Sequence, residues 1–199
     1  NQELSEEVRV EGIGKILDTI NNDNVLSEPE KAKLLVGITS VALDQDSLSQ
    51  AAKKQIVGKI TDSALELNTS DVRLQAINGI TDAVLDSNLN KDEKGEIFEV
   101  ISNVIEASKH DAPEKSQLKS DVLDKAREAG ILSPEQQQLI QQNLDNIKEK
   151  QAAEETIKKV NGILYDPLSD AVKKTDSIKT ITTDVLDGPV KAEIKGEIV

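Results

Sequence analysis

The chain has 199 residues, with 37 Asp and Glu against 24 Lys and Arg, no cysteine, and two aromatics, Phe98 and Tyr165. A net charge of −13, with lysines alternating among acids, repels a nucleic-acid backbone and an anionic membrane surface alike; the absence of thiols removes disulfides and thiolate metal sites. Leu, Ile, Val and Phe make up about 29% of the residues, above the roughly 20% below which chains tend to stay unfolded, so the acidity belongs to the surface of a folded protein.

In chain order, the first predicted element is a helix over 5–22 behind the cap residue Ser5. Six further caps follow, Ser27, Ser49, Ser70, Asn90, Asp111 and Ser133, at gaps of 22, 22, 21, 20, 21 and 22 residues. About eleven positions after each cap stands an apolar residue: Ile16, Ile38, Ile60, Ile80, Ile101, Leu123 and Leu144. A period of this length marks a repeat in which no single unit can bury its own apolar face. The spacing predicts helices over 28–45, 50–67, 71–87, 91–109 and 113–129, then a longer helical stretch from 134 to about 165 with a break near Lys150. Asp166-Pro167 and Gly188-Pro189 are the clearest breakers beyond it. The predicted organisation is a six-helix array over 1–132 and its continuation over 133–199.

Ser27/Glu30, Asn90/Glu93, Asp111/Glu114 and Ser133/Gln136 have the spacing of capping boxes, in which two side chains satisfy backbone N–H groups at a helix start. Leu26, Leu48, Leu89 and Leu132 directly precede a cap residue, as in a hydrophobic staple. A second period overlies the first. Gly14-Lys15-Ile16 returns as Gly58-Lys59-Ile60, and Gly37-Ile38-Thr39 as Gly79-Ile80-Thr81, so the unit is a helical pair of about 43 residues. Since a mid-helix glycine costs about 1 kcal/mol relative to alanine, Gly14, Gly37, Gly58 and Gly79 read either as points of close helix–helix approach or as a tolerated glycine copied by duplication. Lys94-Gly95-Glu96-Ile97 reappears as Lys195-Gly196-Glu197-Ile198, which reads as the start of a further repeat. With no initiating Met at Asn1, the chain reads as a piece of a longer protein.

No constellation for chemistry emerges. His110, the single histidine, lies in a polar stretch and reads as a solvated residue before a cap. Residues 90–101 resemble a calcium loop only faintly, with Lys94 and Ile101 where oxygen ligands belong. Gly188 lacks the partners of a phosphate loop. The expectation is a non-enzyme without cofactor or metal. Amphipathic repeats of this length also suit a lipid surface, although the full boxes and missing aromatics fit helices that stop and reverse. No apolar run approaches the ~18 residues of a membrane span, and no signal-peptide pattern opens the chain.

Three strings carry a resemblance: ILSPEQQQLIQQNLDNI at 131–147, TIKKVNGILYDPLS at 156–169 and VLDGPVKAEIKGEI at 185–198. They resemble the central repeat region of the rickettsial surface cell antigen 4 family, a group of heat-stable secreted antigens. The match is strongest over 131–199, and the first 130 residues share the repeat style. The resemblance implies an effector released into the host cytoplasm that binds the head of vinculin through talin-like amphipathic helices flanking the repeats. The stretch here closest to that helix pattern is Ile97, Val100, Ile101, Val104 and Ile105, with Ala107 beyond. Bulky Ile and Val stand where the pattern uses small residues, so the stripe reads first as core packing and second as a partner-binding face. The fold expected is an all-α, elongated solenoid-like array. Its expected function is a scaffold that spaces or presents host-protein-binding helices. The alternatives are direct binding of a vinculin-like host protein by this segment, or association with a lipid surface.

Overall fold

The computed structural model describes residues 5–166 and 171–187. The described residues form helices joined by short turns: α1 Glu6–Asn22, α2 Glu28–Leu43, α3 Gln50–Leu65, α4 Ser70–Asp86, α5 Lys91–Ala107, α6 Ala112–Glu128, α7 Pro134–Leu164 and α8 Ala171–Asp187. The chain divides into two compact units, Asn1–Leu144 and Asp145–Val199.

The caps act largely as their spacing predicts. Ser5, Ser49, Asn90 and Asp111 each accept the N–H three residues on, while Glu30, Glu93 and Gln136 return a bond to the N–H of their own cap residue. Two assignments change. The fourth cap is Thr69, and Ser70 is the first helical residue. Asp111 makes only half a box, because the Glu114 carboxylate turns away to bind Arg73. α6 ends at Gly130, whose φ of 62° only glycine adopts without strain, and Ile131 N–H closes the turn on Ala126 O at 3.2 Å. α7 runs unbroken through Lys150: no Gly or Pro stands between Pro134 and Gly162, and Ala152-Ala153 favour helix. α8 occupies a stretch in which only its flanking breakers had been read. Gly188-Pro189, the Lys195–Ile198 repeat and Pro167 lie outside the described residues.

In the first unit the helices form two layers. α3 packs between α1 and α5, and α4 packs between α2 and α6; α2–α3 and α5–α6 contacts join the layers. Leu35, Ile56, Ile60, Ile77, Ile80, Ile97, Phe98, Ile101, Val122 and Leu144 share one continuous core between them. The predicted pair period is therefore a lattice of contacts between residues about 43 apart. Polar ties follow the same interval: Glu6 to the Ser49 N–H and hydroxyl, Glu28 to Asn68 N–H, Gln50 to Glu93 O, Lys54 to Glu96, Arg73 to Glu114, and Lys125 to Asp82. The Ser49 bonds hold the Glu6 carboxyl below its ordinary range, and the Asn68 N–H does the same for Glu28. Buried Thr39, Thr61 and Thr81 return their hydroxyls to the carbonyl four residues back, so each of these three donors is paired inside the core.

The glycine expectation divides. An ideal Cβ at Gly79 lies 2.6 Å from Val36 Cγ2, and one at Gly58 lies 3.3 Å from Val100 Cγ1, so both mark close approach. Gly14 meets only the flexible end of Lys59, and Gly37 meets nothing within 4 Å. Gly95 was not among the four, yet an ideal Cβ there would lie 2.7 Å from Gln136 Oε1 of α7.

In the second unit, Lys174 of α8 donates to Leu164 O at the end of α7 (2.9 Å), while Ile157 and Tyr165 face solvent.

Candidate interaction surfaces

The stripe closest to a talin-like helix lies largely in the core. Ile97, Ile101 and Ile105 are fully buried, and Val100 and Val104 are half-buried, Val100 against Gly58 of α3. α5 is enclosed by α3, α4 and α6, so presenting this face to a partner requires α5 to leave the array.

A polar cleft of about 500 Å³ opens where α3 ends and α6 begins, lined by Leu65, Leu67, Arg73 and His110 among others. His110 is not solvated as its sequence surroundings suggested. Its Nε2 lies 2.7 Å from Leu65 O, and because a carbonyl only accepts, Nε2 carries a proton. Nδ1 lies 3.3 Å from Glu114 Oε2, and Glu114 also receives Arg73 Nε at 2.6 Å and Nη2 at 3.0 Å. Arg73 Nη1 donates to Leu67 O. The cleft thus fastens the open carbonyl end of α3 to the start of α6. Burial raises the Glu114 pKa, but the bonds from Arg73 and Ser70 outweigh it and hold the carboxyl below its ordinary value of 4.5. A lowered carboxylate pKa stabilises the fold above the unfolded value and loses that effect as pH falls through the folded one. Glu114→Gln is therefore expected to lower stability by about 1–2 kcal/mol at pH 7. Urea titrations of the two proteins should converge as the pH drops below 4.5.

A basic residue stands four positions after each of the first six observed caps: Arg9, Lys31, Lys53, Arg73, Lys94 and Lys115. Lys31, Lys94 and Lys115 donate to Asn21 O, Leu85 O and Glu106 O, the last-turn carbonyls of the preceding helix. Cations there satisfy orphan acceptors and oppose the negative end of the helix. The spacing is legible in the sequence, but the carbonyls these side chains serve belong to the preceding helix and are not. Lys119 is fully buried and pairs with Glu106 at 3.3 Å; burial lowers its pKa. A further groove, apolar and about 860 Å³, lies between α1 and α2.

No protein-family model matches the chain, and no solved structure matches it. The "Antigenic heat-stable 120 kDa protein" of Rickettsia akari is 40% identical over 197 residues, covering 99% of this chain. The chain is homologous to the rickettsial heat-stable antigens. Antigens of the same name from Rickettsia slovaca and Rickettsia typhi are 43% and 41% identical over 122 and 121 residues, each covering 61% of the chain. The chain spans 20% of the length of the Rickettsia akari antigen and 12% of the other two. The resemblance carried by the strings in 131–199 is borne out by these heat-stable antigens. Among the described residues no group of His, Cys, Asp or Glu could hold a metal ion, and no helix is long and apolar enough to cross a membrane.

Proposed function

We propose that this chain is a non-catalytic spacer within a secreted rickettsial effector, a helical-repeat scaffold that holds host-protein-binding helices apart and presents them. The observation that supports this most is the burial of Ile97, Ile101 and Ile105, the stripe nearest to a vinculin-binding pattern, inside the repeat core. A stripe that closes the array is unavailable to a partner while the array is folded. The contacts at the pair period, apolar and polar together, are what a scaffold needs: each pair is fixed by its neighbours, so spacing follows from the number of repeats. The naming of the relatives as antigens fits a protein met by a host.

The test is capture by immobilised vinculin head. The 199-residue chain is expected to pass unretained while the longer protein is retained; retention of the chain alone contradicts the spacer reading. Circular dichroism of the chain in plain buffer is expected to show full helicity, whereas helicity that develops only with vesicles supports a lipid-surface role instead.

A further inference from the structure

The groove between α1 and α2 is walled mainly by apolar side chains, and its lining can be compared with the equivalent positions one repeat onward. Its walls include Ile16, Leu34, Gly37 and Val41. Ile16, Leu34 and Val41 are 52%, 42% and 63% exposed, although all are large and apolar. One pair onward in the sequence, their counterparts are Ile60, Ala76 and Ala83, at 0%, 0% and 8%. Those counterparts are covered because α1 and α2 lie over α3 and α4. Gly79 receives Val36 of α2, whereas its counterpart Gly37 has open space where such a side chain would sit. The groove thus has the lining of the face on which one pair stacks against the next, left uncovered here.

We propose that this groove seats a further antiparallel helical pair of the same repeat, supplied by the longer protein, with a β-branched residue in the place of Val36 resting on Gly37. The length of the relatives supports that source, since the chain matches 20% of the Rickettsia akari antigen. The charge is suitable as well: Arg9 and Lys33 are the cations in the lining, and the ties between existing pairs are acid–base contacts such as Lys54–Glu96 and Lys125–Asp82. A second copy stacked head to tail is disfavoured. The opposite edge of the α1–α3–α5 layer is already occupied, with Gln136 of α7 seated on Gly95. This assignment does not depend on what the protein binds.

The experiment places Val41→Glu in two proteins, the 199-residue chain and the longer natural antigen, with circular dichroism confirming the fold of each. Amide exchange across α1 and α2 is expected to be at least about tenfold slower in the longer wild-type protein than in the chain. Val41→Glu is expected to remove that protection while leaving the urea midpoint of the chain unchanged. Gly37→Leu is a second probe of opposite sign, stabilising the chain alone and destabilising the longer protein. Equal exchange in the two wild-type proteins overturns the proposal. A concentration-dependent dimer of the chain that Val41→Glu abolishes assigns the groove to a second copy and also overturns it. So does flotation of the chain with phosphatidylcholine–phosphatidylserine vesicles that the same substitution prevents.

Discussion

Ile101→Asp is expected to destabilise the first unit by more than about 4 kcal/mol. Ile101 has no exposed surface, and it lies in α5 where helices of both layers converge. Removing its side chain forfeits about 2–3 kcal/mol of burial, and placing a carboxyl there without a partner adds several more. The sum exceeds about 4 kcal/mol, against a total stability that for single domains is roughly 5–15 kcal/mol. In thermal melting by circular dichroism the midpoint should fall by more than about 10 °C, at roughly 2–4 °C per kcal/mol for a chain of this size. Val25→Asp serves as the control: Val25 is 92% exposed, and its melting curve should match wild type. An Ile101→Asp protein that melts like wild type contradicts the layered core. The same reasoning bears on binding studies. A charge at Ile101 does not isolate α5 as a ligand of a folded array, because it destabilises the array itself.

The second large effect is a change of sign between equivalent positions. Gly37 and Gly79 occupy the same place in successive pairs, each opening the triplet Gly-Ile-Thr. Alanine is the better helix former by about 1 kcal/mol, and at Gly37 nothing within 4 Å opposes the added methyl. Gly37→Ala should therefore stabilise the chain by up to about 1 kcal/mol. At Gly79 the new Cβ falls 2.6 Å from Val36 Cγ2 and 3.6 Å from its Cβ. Val36 is β-branched and on a helix, so its χ1 is nearly fixed and the methyl cannot swing aside. The helices must part, which costs about 1–3 kcal/mol and exceeds the gain in propensity. Differential scanning calorimetry should show Gly37→Ala raising the melting midpoint and Gly79→Ala lowering it. Shifts of equal sign would mean that the glycines share a local cause unrelated to packing.

These two cases separate what each level of description decides. Helix positions were readable because their determinants are local: a hydroxyl or carboxamide at the cap, a Glu or Gln three residues on, and apolar residues at 3.6-residue spacing all act within one or two turns. The misplaced cap shows where local reading stops. Ser70 has the right chemistry for a cap, yet Thr69 takes the position and the Ser70 hydroxyl serves Glu114, a residue brought near only by the stacking of α4 on α6. His110 shows the same. Its neighbours in sequence are polar, but its partners are Leu65 O and Glu114, and the first of these lies 45 residues away.

Sequence alone was sufficient for the all-α class, the 22-residue unit and its doubling into pairs, since periodic hydrophobicity and end signals repeat whether or not the chain is folded. Tertiary structure alone decided which glycines are sockets, that the α5 stripe closes the core, and which apolar residues remain uncovered. Gly37 and Gly79 are alike in sequence; only stacking distinguishes them, because burial depends on having a neighbour on both sides and the first described pair has one.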